Sequence, residues 1–169
     1  MFSIDKDALW DYSLSVYKYD EVKSACLALQ DGLQINVNIV LSMMYLSQHE
    51  RMYNFDDIQR IEEAIEASDK RLWRHRAKRR GIKTVDLTLY KKALEEELAL
   101  EKSQQAEIVT FANTLFFHYV RTREQLSDQL AALCLRKLTD TRAMQGKKLD
   151  HRTVSQECLK ACASLSQYV

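Results

Sequence analysis

The sequence predicts an all-α protein. Its 169 residues contain no proline and three glycines, so the usual punctuation of strands and tight turns is missing. Apolar residues recur at spacings of three and four along almost the whole chain. Gly32, Gly81 and Gly146 each stand where such a run stops. A composition of 46% apolar and 29% charged residues is that of a globular chain. The length suffices for one domain burying roughly 70% of its unfolded surface. With no linker composition and no internal repeat, one helical domain over residues 1–169 is expected. It should hold about six to eight helices around an antiparallel hairpin turning at Gly81.

Taken in order, Asp7 caps a first helix whose apolar positions are Leu9, Trp10, Leu14 and Tyr17, with Val16 at their margin. Asp20 caps a second, through Gln30, with Val22, Ala25, Cys26 and Leu29 inward and Gly32 ending it. A third runs from Asn36 to His49 with Val37, Val40, Leu41, Met44 and Tyr45 on one face. Ile39, Met43 and Leu46 make it apolar nearly all round, which predicts a central position. Asn54 or Asp56 caps a fourth helix carrying Ile58, Ile61 and Ile65. Ser68-Asp69 reads as a new N-terminus, so a break or bend is expected there. Leu72, Trp73 and Ala77 carry the apolar series on towards Gly81, a natural left-handed helix end.

Asp86 caps the next helix, which presents Leu87, Tyr90, Leu94 and Leu98 on its apolar side and Glu95, Glu96, Glu97 and Glu101 outside. Residues 101–107 are polar all round, so this helix either projects or kinks there. Residues 108–120 are dense in large apolar groups and are expected to be buried, with His118 a hydrogen-bonded core histidine. A helix from Arg121 to Thr139 buries Leu126, Leu130, Leu133, Cys134 and Leu138. Gly146-Lys147-Lys148 is a loop, and Asp150 caps a last helix with Val154, Cys158, Leu159, Cys162 and Leu165.

The strongest local feature is charge. Between Lys70 and Lys83 there are eight Lys or Arg residues. With the turn near Lys83, Arg71 falls opposite Glu95 and Lys70 opposite Glu96, so much of the run is matched within the hairpin. Arg76, Arg79, Arg80 and Lys83 lie nearer the turn with Asp86 as their one opposite charge. They are the surplus, and the candidate contacts for an anionic partner. Trp73 and His75 lie among the cations, an arrangement suited to phosphates with base stacking. Against that stand a net charge of +1, which gives no global steering field, and the absence of a helix-turn-helix signature.

No motif spells out a reaction. Cys158 and Cys162 are one turn apart with His151 upstream, but zinc sites place cysteine pairs two to four apart, twice over. Cys26 and Cys134 stand alone, so all four cysteines read as small core side chains and no metal or cofactor is expected. His49 and His75 read as a helix end and a solvated face. Neither Glu62-Glu63 nor Glu95-Glu96-Glu97 belongs to a Glu-x-x-His pair, and adjacent glutamates point to different faces. Nucleophile-elbow, P-loop and dinucleotide-binding motifs are missing. No run reaches the roughly 18 apolar residues of a membrane span, and the start MFSIDKD is unlike a signal peptide. A cytoplasmic protein with reduced cysteines is therefore expected.

Leu9-Trp10-Asp11-Tyr12-Ser13-Leu14 with Tyr17, then Val22 and 25–30 (ACLALQ), then Val37-Asn38, form a distinctive pattern. Trp73-Arg74, the basic residues after it and the Leu/Glu-rich helix extend it. Over roughly Ala8 to Lys102 the chain resembles a bacterial family of short helical proteins described as a domain of unknown function. The resemblance implies a compact helical domain of the bacterial cytosol and assigns no site. Trp10, Asp11, Tyr12 and Asn38 suit a pocket by type, but their spacing fits packing. The function expected is non-catalytic: a helical adaptor or regulator binding another protein, with homo-oligomerisation through the polar helix open. The alternative is RNA or DNA phosphate contact through Arg76, Arg79, Arg80 and Lys83.

Overall fold

Three of the helices open on a capping side chain. Asp5 accepts hydrogen bonds from the N–H groups of Asp7 (3.0 Å) and Ala8 (2.8 Å) and so opens α1, Lys6–Val16, two residues before the expected Asp7 cap. Leu9 and Val16 are its buried apolar residues, whereas Leu14 is exposed. Asp20 is the first residue of α2, Asp20–Leu33, where its charge suits the helix dipole although it is not the cap. Gly32 lies inside α2, and the left-handed residue that ends the helix is Gln34, with φ of 55°. Asn36 accepts from the N–H of Ile39 at 3.1 Å and opens α3, Val37–Gln48.

The computed structural model describes residues 1–120, 122, 124–145 and 151–169, with the side chains of 141–145 and 151–155 excepted. The expected loop at Gly146-Lys147-Lys148, the Asp150 cap and the inward Val154 lie outside what is described. Among the described residues the remaining elements are β1 Arg51–Met52, α4 Phe55–Ala64, α5 Glu66–Ile82, α6 Leu87–Ala112, β2 His118–Tyr119, α7 Glu124–Gln145 and α8 His151–Ser166. The all-α expectation holds, since the strands form one short antiparallel ribbon pairing Arg51 with Tyr119 and Met52 with His118.

α3 is the centre, as its all-round apolarity predicted: Val37, Ile39, Val40, Leu41, Met43, Met44 and Leu46 are all buried. It is flanked by α1, α2, α6 and α7. α8 lies against α2 and α7 and seals the core with Cys158, Ala161, Cys162 and Leu165. Leu159, expected inward, is exposed. All five inward positions expected for α7, from Leu126 to Leu138, are buried.

The other departures lie around α5 and α6. The bend falls at Ile65, three residues before Ser68, because buried Ile65 serves as both the end of α4 and the start of α5. Ser68 is a buried residue inside α5. Gly81 lies within α5, and the reversal occupies residues 83–86, where the N–H groups of Val85 and Asp86 bond to the Ile82 carbonyl at 3.1 Å. Asp86 does cap α6, accepting from Thr88 (2.8 Å) and Leu89 (3.0 Å). α6 runs unbroken through 101–107, and Gln104 and Gln105 there are fully buried. Beyond Ala112 the apolar run leaves the helix: Phe117 is buried, but Phe116, His118 and Tyr119 are exposed. Arg51 stacks on one face of the Tyr119 ring, its guanidinium 3.8 Å from the ring centroid.

Candidate interaction surface

The α5–α6 hairpin is joined to the body by polar groups. Asn38 Nδ2 donates to Gln104 Oε1 (2.8 Å), and Gln105 Nε2 donates to Asn38 Oδ1 (3.0 Å) and to the Ser13 hydroxyl (2.9 Å). Asn36 Nδ2 donates to Gln104 Oε1 (3.0 Å) and Asp69 Oδ1 (2.6 Å). Gln104 Nε2 closes the set by donating to Ser68 Oγ at 3.3 Å. Four helices thus meet through amide and hydroxyl groups that satisfy one another in a dry place, where an unmatched group would be costly. Asn38, which suited a pocket by residue type, is part of this packing. Tyr12 likewise packs edge-on against Tyr45, with ring centroids 5.5 Å apart.

Further along the hairpin, charge replaces amide. Arg76 is 5% exposed and reaches Glu101 at 2.9 Å and Glu97 at 3.4 Å. Arg79 bonds to Glu97 as well, and His75 Nε2 meets the Ala93 carbonyl at 2.7 Å. Burial holds the Glu101 carboxyl above the ordinary carboxylate range against the opposing pull of Arg76. The expected surplus is therefore corrected. Arg76 and Arg79 are consumed by the seam, and Arg80 pairs with Asp31 of α2 at 3.2 Å. Lys83 makes no ion pair among the described residues and lies 6.0 Å from the Tyr90 ring centroid. The expected opposition of Arg71 to Glu95 and Lys70 to Glu96 is not found, because the reversal extends past Lys83 to Asp86 and shifts the register. Lys70 instead pairs within its own helix with Glu66 at 2.5 Å.

That register turns the leucines of α6 outward. Its inward line in this half is Tyr90, Ala93 and Glu97, with Ala93 the buried member. Leu87 (65% exposed), Leu94 (40%) and Leu98 (47%) stand on the adjacent stripe. At about 100° per residue they fall within roughly 40° of one another and span about 16 Å of helix. Lys102, one turn after Leu98, lies 5.8 Å from the ring of Trp10 on α1. Exposed Leu14 follows Trp10 by one further turn of α1. Val85 and Leu89 add exposed apolar surface at the hairpin tip. The periodicity that marked Leu87, Leu94 and Leu98 was real, but α5 does not cover them.

The other candidates hold less. A cleft of about 540 Å³ lies beside the α4–α5 bend, lined by Glu62, Glu63, Glu66, Asp69, Arg136 and Asp140 among others. Glu62 there is engaged by Arg136 and by Lys137 at 2.8 Å. Glu66 is held below the ordinary carboxylate range by its hydrogen bond to Lys70. Cys134 is not isolated: its sulfur lies 3.7 Å from that of Cys162. Hydrogen bonding to the Cys158 and Cys162 sulfurs, together with burial, drives the Cys134 thiol upward from its ordinary pKa. Among the described residues no group of three or more His, Cys, Asp or Glu is placed to hold a metal. None of their helices is long and apolar enough to cross a membrane. His118 is an exposed residue of β2, and His75 is tied to a backbone carbonyl instead of facing solvent.

Residues 8–108 match the model of the family described as protein of unknown function DUF2390. The chain belongs to this family. The DUF2390 region runs from Ala8 in α1 to Ile108 in α6, so the polar junction, the Arg–Glu seam and the leucine stripe all lie within it. α7 and α8 lie outside that match. No curated protein and no solved structure matches the chain.

Proposed function

We propose that this DUF2390 protein is a non-catalytic binding module that docks another protein on the leucine face of its α5–α6 hairpin. The observation that carries the reading is the alignment of Leu87, Leu94 and Leu98 on one exposed stripe of α6. Clustered exposed leucines are costly to leave in water, and an aligned apolar stripe on a helix is a natural docking surface. The buried amide junction and the Arg76 seam hold that stripe on a stiff support, which lowers the ordering cost of docking.

A photo-reactive residue placed at Leu94 tests the reading against one placed at Glu96, which points away from the stripe. The expected result is a specific crosslinked polypeptide from position 94 that is lost in a folded variant with Leu98→Glu. Equal or absent crosslinking at the two positions would overturn it.

A second reading is favoured by one observation. Arg71, Arg74 and Lys78 lie exposed on a common face of α5 and form no ion pair among the described residues. Contact with nucleic-acid phosphates would use these three with Lys83 and the exposed Arg80, in place of the seam residues Arg76 and Arg79. Binding to mixed RNA or DNA that weakens steeply between about 50 and 200 mM salt, and flattens when Arg71, Arg74 and Lys78 are changed to Ala, would establish it. No binding at the lower salt would exclude it.

A further inference from the structure

Leu87, Lys91, Leu94 and Leu98 are spaced by four, three and four residues. That series reads the same in both directions along the helix. It is also the a/d pattern of a coiled-coil seam, with Lys91 taking one core-lining position. Lys91 and Glu95 lie on the same flank of the stripe at about 40° and 80° from Leu87, and both are exposed. A twofold axis passing between Lys92 and Ala93 would set Leu87 against Leu98 of a second copy and Lys91 against its Leu94. It would also bring each Lys91 ammonium beside Glu95 of the second copy, because a dyad perpendicular to the plane of two antiparallel helices keeps like flanks together. A parallel arrangement would instead place the two Lys91 ammonium groups against each other.

We propose that the leucine face is self-complementary and that its occupant is a second copy of this chain, docked antiparallel through α6. The proposal rests on the reading of that face as a docking surface and names its partner. Leu87 and Leu98 cover each other at both ends of the seam. The aliphatic stem of each Lys91 lies over Leu94 of the second copy while its charged end turns out to Glu95. The result is two leucine layers bracketing two reciprocal ion pairs. A short seam of this size, set against the roughly 800 Å² per partner of a standard stable interface, gives a dimer that dissociates on dilution.

Sedimentation or light scattering across about 1 to 500 μM tests it, that range bracketing the dissociation constant of a small interface. The wild type is expected to pass from monomer to dimer, and Leu94→Glu with Leu98→Glu to raise the dissociation constant at least about 100-fold. Lys91→Glu alone and Glu95→Lys alone are each expected to weaken self-association about 10-fold. An equimolar mixture of those two variants should recover dimer as the mixed species, whereas parallel pairing, which sets position 91 against itself, would leave each single variant associating about as the wild type does. All four positions are exposed, so the helical circular dichroism should stay at the wild-type level. A wild type monomeric over the whole range would overturn the second copy as occupant. The docking reading itself would then stand or fall on crosslinking at Leu94 to a different protein. A dimer indifferent to the leucine substitutions, or single charge variants that associate as the wild type does, would also overturn the proposal.

Discussion

Asn38 and Gln104 meet at 2.8 Å in a place where neither side chain is open to solvent. The bond joins the first turn of the most apolar helix, α3, to the part of α6 that looks most polar in sequence. Around it Asn36, Ser68, Gln105 and Ser13 complete a closed set of donors and acceptors. The hairpin is seated by this set, and removing one member strands the rest.

Gln104→Leu is therefore expected to destabilise the fold although it adds apolar surface to a buried site. Asn38, Asn36 and Ser68 each lose a partner, at about 1–3 kcal/mol for each group left unmatched. Urea unfolding of the variant should give a lower midpoint. An unchanged midpoint would mean that water replaces the amide.

Arg76→Ala should cost about 3–5 kcal/mol, the range for removing one partner of a buried ion pair. It leaves Glu97 and Glu101 together without their shared cation. Arg80→Ala is the control, because its pair with Asp31 is more than half exposed on both sides. Its cost should stay within about 1 kcal/mol, and denaturant midpoints of the two variants give the comparison.

Glu101 makes a pH prediction. Its carboxyl is raised in the folded protein, so over that window the native state holds a proton that the unfolded chain has released. Its contribution favours folding most at low pH and is lost as pH rises from the ordinary carboxylate value through the raised one. The stability of Glu101→Gln relative to wild type should accordingly increase across that rise and then level off. Urea midpoints of both proteins, taken at steps from about pH 4 to pH 7, supply the difference. A difference independent of pH would remove Glu101 from the account.

Gly32→Ala and Gly81→Ala are both expected to stabilise the protein. Each glycine lies inside a helix without a left-handed φ, and an added Cβ meets no atom within 4 Å. Replacing a helical glycine with alanine gains about 0.5–1 kcal/mol by restricting the unfolded chain. Thermal midpoints should rise for both. A fall at Gly81 would restore the view that this residue makes the turn.

Burial pushes the Cys26 thiol up to about 12, far from the thiolate needed for reaction at neutral pH. A disulfide reagent at about pH 8 should therefore modify Cys26 no faster than the chain unfolds. Rapid labelling in the native protein would contradict its placement between α2 and the rest of the core.

Helical class, the approximate helices, the centrality of α3 and the inward face of α7 were all legible along the sequence. They depend on periodicity over a dozen residues, which is a property of one helix and its solvent contrast. Family membership was legible from a different signal, the resemblance of particular residues beginning at Leu9-Trp10. What tertiary structure alone decided was the partner of each face. Gln104 and Gln105 read as solvent-facing because a glutamine's burial depends on amides that arrive from Asn36 and Asn38, more than 60 residues earlier. The fate of Arg76 and Arg79 turned on a hairpin register set by residues 83–86, and a shift of a few residues converted expected surplus cations into a buried seam. The same register left Leu87, Leu94 and Leu98 on a stripe that α5 does not reach. An amphipathic pattern states that a face is apolar; which surface covers it is settled by the packing of other helices.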